Sequence, residues 1–267
     1  MPRSSRIAPA VRPAPRTASS LRPPVRWRSS PWSTRVITSR ESTVEPVPDI
    51  PLFPLGTVLF PGTLLPLHIF EPRYRLLVQR SLERKAPFGV VLIRSGQEVG
   101  GHAEPHAVGT EARIVGLSPI ADGRSYIVAR GERRFAIESV VTDAEPYLVG
   151  RVRYLDEQDG PDAAARVAEA LDALGAYLLG VVAVTDGSHG ERSLSDELKD
   201  AAPPDVAYHI AAALSVDATE RQALLELATA ADRLGEETRI LRRETELLRD
   251  LLVRLRARGE RDARALN

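Results

Sequence analysis

The 267-residue sequence contains no cysteine, which removes disulfides, thiolate metal sites and cysteine nucleophiles together and suits a reducing compartment. It has only two lysines, Lys85 and Lys199, against 34 arginines. Neither lysine stands in GxxxxGK[ST], so no P-loop for nucleotide hydrolysis is encoded. G-x-S-x-G is missing as well, and no serine has a partner pattern for nucleophilic catalysis. Acidic residues are lacking from positions 1–40, which hold nine arginines, whereas positions 50–267 hold 27 basic against 33 acidic residues. The zero formal net charge therefore averages a basic tail and a mildly acidic remainder. That remainder argues against a general nucleic-acid binder whose affinity comes from phosphate neutralisation.

Residues 1–48 are rich in Pro, Ser and Arg and show no apolar periodicity, so they read as a disordered tail. The composition resembles an organelle transit peptide, but the dense prolines oppose a long amphipathic helix. A reading frame extended upstream of a true start near Val36 or Val44 fits equally well. Trp27 and Trp32 among the arginines offer stacking surfaces for nucleic acid, set against the plainer reading of an unstructured tail.

The first uncharged run, IPLFPLGTVLFPGTLLPLHIF at 50–70, has the length of a membrane span. Pro51, Pro54, Pro61 and Pro66 break any helix there, at about 3 kcal/mol each, so the run reads as two buried strands, 57–60 and 64–69. Further strands are expected at 88–93 (FGVVLI), 110–117, 126–129, 135–141 and 148–154, separated by glycine turns. One helix is expected over 73–85 with Pro72 in its first turn. Short strands with such turns suggest a barrel or sandwich. Beyond Gly160 the period becomes helical: 162–181, a second helix opened by Pro203 and Pro204, and a third from Asp217 to Arg258 with Gly235 as its weak point. Leu224, Leu227, Leu234, Leu241, Leu248, Leu252 and Leu255 in that third helix hold a three-four spacing typical of coiled coils.

His102, Glu104 and His106 in GHAEPHAVG are the sharpest metal-like group. The glycines and Pro105 place them in a polar hairpin loop, and the glutamate is misplaced for a metalloprotease helix. His68 reads as a packing residue and His209 as a boundary residue. No metal or cofactor site is assigned.

In order along the chain, IPLFPLGTVLFPGTLLPLHIFEPRYRLLV, FGVVLI, VGTEARIVGL, YIVARGERRFAIESV, YLVGRVRYL and PPDVAYHIAAALSVDATERQALLELATAADRLGEETRIL resemble the amino-terminal, substrate-binding domain of the ATP-dependent protease Lon. The resemblance covers about residues 50–255. It implies an α+β chain: a small antiparallel β-barrel of the PUA-like kind at 49–158, then a helical bundle with a long C-terminal helix at 159–258, and a short tail at 259–267. It also implies a non-catalytic module that binds unfolded polypeptide or a dedicated protein partner, since the ATPase and serine-lysine peptidase of Lon have no counterpart here. Phe53, Phe60, Tyr74 and Tyr154 mark the expected peptide-binding region, in competition with an ordinary core reading. Two alternatives stay open. One is RNA binding through Arg124, Arg130, Arg133, Arg134, Arg151 and Arg153; the other is self-association through 236–258. The expected location is cytoplasmic, with no membrane contact.

Overall fold

The computed structural model describes residues 48–98, 103–141, 145–185 and 198–265, with side chains up to residue 258. The expectations for residues 1–47, with Trp27 and Trp32 among them, and for His102 lie outside the described residues. Six strands, β1 (Asp49–Leu55), β2 (Leu64–Ile69), β3 (Phe88–Gly96), β4 (Ala103–Pro119), β5 (Ser125–Val141) and β6 (Val149–Tyr154), form one sheet in the order β2-β5-β4-β3-β1-β6. Because β6 also pairs with β5, five strands close into a barrel and β2 hangs on the outside of β5. The 17-residue β5 makes this possible. Its first part, from Ser125 to Arg130, holds β2, and its last part, from Phe135 to Val141, holds β6.

The sheet is mixed, which corrects the expectation of an all-antiparallel barrel: β1 runs parallel to β3, with Leu52 opposite Gly89 and Leu55 opposite Leu92. Parallel neighbours need a long crossover, and α1 (Pro72–Arg84) lies in it. Pro72 opens that helix, and Lys85 closes it in the left-handed region at φ 51°. The run FGVVLI is apolar throughout because β3 is buried on both faces from Phe88 to Leu92.

The first strand lies earlier than the apolar pattern suggested. Residues 58–60 are buried but make no ladder. Their carbonyls are taken instead by side chains: Thr110 Oγ1 donates to Leu59 O at 2.6 Å, Thr63 Oγ1 to Phe60 O at 2.8 Å and Arg221 to Val58 O at 3.3 Å. The proline-containing 49–55 forms the strand because β6 pairs it over 49–51 and β3 over 52–55, leaving Pro51 and Pro54 few ladder bonds to spoil. The described part of GHAEPHAVG, residues 103–109, is likewise strand and not loop, since β4 begins at Ala103 and pairs with the end of β3.

The helical layer comprises α2 (Ala163–Thr185), α3 (Pro203–Ala213), α4 (Ala218–Glu226) and α5 (Ala230–Ala265). α2 is long and apolar enough to cross a membrane by length and composition. In this fold Ala170, Leu174 and Tyr177 on it are buried in the bundle core. The expected third helix is two helices. It breaks at 227–229, where Thr229 Oγ1 accepts from Asp232 N at 3.1 Å and Ala230 N donates to Gln158 O at 2.8 Å. Gly235 sits inside α5, and that helix continues past Arg258 to Ala265, through an Ala, Arg and Glu composition that favours helix.

Two buried arginines hold the break. Arg134 of β5 donates to Leu225 O and Leu227 O at 2.7 and 2.8 Å, and Arg233 of α5 donates to Leu224 O and Leu227 O at 2.9 and 2.8 Å. Arg134 also pairs with Glu157 at 2.8 Å, and Glu157 accepts from Tyr208 Oη at 2.6 Å. The last carbonyls of α4 are thus satisfied by guanidinium groups rather than by water. Barrel and bundle further share one apolar cluster, in which Val58, Phe60 and Leu92 meet Leu174, Tyr208, Leu224 and Leu241.

Candidate binding cleft

β2 pairs with β5 along one edge only, so its other edge is free among the described residues. Pro66 in mid-strand fits that position, because proline within sheets is confined to edges and bulges. The free edge borders a cleft of about 260 Å³ between β1, β2 and the start of α1, with Phe53, Leu55 and Tyr74 on its floor and Glu71 and Glu98 at its rim. Phe53 stacks on Tyr74 with ring centroids 4.0 Å apart, and burial pushes the Tyr74 hydroxyl up to about 12. The Arg73 guanidinium lies 4.5 Å from the Tyr74 centroid, bonds Glu71 at 3.0 Å and donates to Glu98 O at 3.1 Å. Glu98 in turn accepts from Gly56 N at 2.8 Å. The rim is therefore braced, with the Arg73 cation set between the two glutamates.

On the outer face of β2, next to the cleft, stands an exposed aromatic group. His68 lies 4.8 Å from the Tyr126 ring and 5.5 Å from the Phe70 ring. This corrects the reading of His68 as a packing residue: it is exposed, because the outer residues of β2, Leu64, Pro66 and His68, alternate with Leu65, Leu67 and Ile69 on the core side. The cleft volume lies at the small end of ligand sites. It suits a few side chains of a chain laid along the edge rather than a whole cofactor.

Of the four expected binding residues, Phe53 and Tyr74 come together in this cleft. Phe60 does not: it is 0 % exposed, sits in the core shared with the helices and has Tyr208 at 6.3 Å. No partner reaches it without unfolding, so it is a core residue. Tyr154 lies on β6, away from the cleft, with the Arg133 guanidinium 3.7 Å over its ring and its hydroxyl donating to buried Glu111. Burial first, and then the Glu111 carboxylate, push its hydroxyl up to about 12. Sequence reasoning missed Phe70, Glu98 and Tyr126. The proline at 66 was the available signal for the edge.

The six arginines of the RNA alternative form no common positive face. Five of them are taken by carboxylates, Arg124 by Asp122, Arg133 by Glu111, Arg134 by Glu157, Arg151 by Asp49 and Arg153 by Glu138, which leaves the exposed Arg130 as the single one in no ion pair among the described residues. Glu104 and His106 also part company, Glu104 to Arg94 and Ser95, and His106 to Glu226 at 3.6 Å.

Both layers of this fold recur in known proteins. The Lon protease of Methylocella silvestris is 26 % identical over 204 residues, 73 % of this chain and 24 % of its own length. Lon protease 2 of Myxococcus xanthus is 29 % identical over 211 residues, 77 % of this chain and 25 % of its own. The chain thus spans about a quarter of the length of these relatives. Among solved structures, the Lon N-terminal domain protein from Xanthomonas campestris superposes with a TM-score of 0.52 at 29 % identity, covering 71 % of this chain and 96 % of that one. The N-terminal domain of the Mycobacterium avium complex Lon protease gives 0.58 at 20 % identity, covering 73 % and 98 %. A family model described as the ATP-dependent protease La (LON) substrate-binding domain matches residues 49–243, from the first barrel strand into the last helix. With the barrel, the two buried arginines at the helix break and the bundle as far as residue 243 inside that match, the chain belongs to the Lon substrate-binding domain family.

Proposed function

We propose that this chain is a non-catalytic polypeptide-binding module, and that an extended peptide adds to the free edge of β2 with one or two apolar side chains in the Phe53–Tyr74 cleft. The observation that carries this reading is the coincidence of an unpaired strand edge with an apolar floor. Main-chain bonds to an edge give affinity regardless of sequence, and pockets for alternate side chains give selectivity. Absence of catalysis is supported by the motif search and by a family match confined to the substrate-binding domain. A barrel of residues 49–158 and a bundle of residues 159–258 act as one unit through the clasp at Arg134. The location is cytoplasmic without membrane insertion, a reading supported by the lack of cysteine; one face of α2, with Ala170, Leu174 and Tyr177, packs into the bundle core.

The test is a fluorescence-anisotropy titration of the full chain with a labelled, permanently unfolded polypeptide, beside a labelled single-stranded RNA, each at two salt concentrations. Saturable, nearly salt-independent peptide binding that Phe70→Glu weakens without altering the unfolding midpoint is the expected result. Salt-sensitive RNA binding without peptide binding refutes it.

A further inference from the structure

Past Glu244 the last helix carries an apolar stripe that the rest of the fold no longer covers. Up to that point one face of α5 is buried, with Arg233, Glu237 and Ile240 inside and Arg243 reaching Glu220 of α4 at 2.6 and 2.9 Å. The same face continues by steps of four through Leu247, Leu251 and Leu255, which are 56 %, 42 % and 48 % exposed. Leu248, one position on, turns the other way and packs against Gly180 of α2. The stripe is therefore distinct from the seam that binds α2. It narrows the expected self-association segment, because 236–246 is largely occupied within the chain.

Charge beside the stripe selects the occupant. Asp250 and Arg254 lie on one flank, a helical turn apart, and neither takes part in an ion pair among the described residues. We propose that residues 247–258 pair antiparallel with the same segment of a second copy of this chain. With Leu251 on the two-fold axis, Leu247 faces Leu255 of the second copy. Asp250 then comes within reach of Arg254 of the second copy, and symmetry repeats the pair. A parallel alignment sets this flank against the opposite flank of the second copy, where Asp250 and Arg254 do not meet, so the charge match belongs to the antiparallel arrangement. Two helical segments of this length bury less than the roughly 1,200 Å² of a standard interface, so the dimer is a concentration-dependent one.

Sedimentation velocity of the full chain from about 1 to 200 μM tests this, a range set by the small interface. The wild type is expected to pass from monomer to dimer. Leu251→Asp is expected to stay monomeric with unchanged circular dichroism, since the position is exposed. Arg254→Asp alone places like charges together twice and is expected to weaken association by about tenfold or more, and the double change D250R/R254D to restore it to within about threefold. A wild type that stays monomeric overturns the proposal, as do single and double charge variants that associate alike. Monomers that instead bind vesicles of anionic lipid through these leucines also overturn it and give the stripe to a membrane surface.

Discussion

Glu237 is a carboxylate in the wrong place for a charge. It is 0 % exposed on α5, and neither of its oxygens has a hydrogen-bond partner. Burial raises its pKa well above the ordinary glutamate value, and Arg233, one turn earlier, only partly offsets this. Arg233 spends its Nε and Nη2 on the carbonyls of Leu224 and Leu227, and its buried Nη1 makes no hydrogen bond to the carboxylate. The folded state therefore binds a proton that the unfolded chain releases near pH 4.3. The stabilising contribution of the protonated form is complete below that pH and is lost as pH rises towards the folded value. Across this window each pH unit lowers wild-type stability by about 1.4 kcal/mol relative to a chain with no such group. Glu237→Gln keeps the shape and removes the titration. Urea unfolding of both chains at pH 5, 6, 7 and 8 should show the variant gaining on the wild type as pH rises towards the folded pKa, with equal m-values. A stability difference that does not change with pH, or one that favours the wild type at pH 8, would falsify the reasoning.

Three further outcomes follow from the geometry. Arg134→Met removes the clasp; because Glu157 keeps a third of its side chain in water, the loss should fall toward the lower end of about 3–5 kcal/mol for breaking a buried pair, measured by denaturant midpoint. Gly131→Ala would bring a Cβ to 2.3 Å from Phe60 O and lower stability by about 1–3 kcal/mol, whereas Gly175→Ala, which meets nothing within 4 Å in a helix, should be neutral or stabilising. In a spectrophotometric titration of the six tyrosines, Tyr74, Tyr154 and Tyr208 should ionise late because burial raises each. Tyr74→Phe should therefore reduce only the late phase, and a smaller amplitude near pH 10 would contradict its burial.

Much of this fold is legible where one force dominates locally. Helix α1 announces itself by Pro72 and by Tyr74, Leu77 and Val78 at helical spacing, because its register depends on burying a single face. The placement of residues 57–60 failed for the opposite reason. Their apolar content reports burial correctly, but the backbone is satisfied by nearby Thr63 and by Thr110 and Arg221 from distant segments, and no local pattern encodes a hydrogen bond across 163 residues. The break at 227–229 is hidden likewise, since Leu227 continues the leucine spacing while Arg134, 93 residues away, takes its carbonyl. In the candidate cleft, Phe53 and Tyr74 were legible as apolar aromatics but not as neighbours. The strand LLPLHI is apolar on both faces, so only tertiary structure tells the core side from the outer one.

The arginines show how far composition misleads about partners. Read along the strand, RGERR followed by RVR looks like a basic surface, and in a flexible chain it would attract phosphate. Folding disposes of that charge internally: Arg134 becomes a structural bolt, and Arg133, Arg151 and Arg153 each meet a carboxylate on the barrel. Exposed pairs of this kind add little stability, yet they cancel the field that a polyanion would need. The barrel exposes instead an aromatic and apolar group, from Leu64 through His68, Phe70 and Tyr126, beside an edge with backbone groups to share. Ionic strength separates the two kinds of recognition. A partner held by that edge and those rings should dissociate no faster when salt rises from about 50 to 200 mM, an interval over which six to ten phosphate contacts would lose roughly 10³-fold or more in affinity.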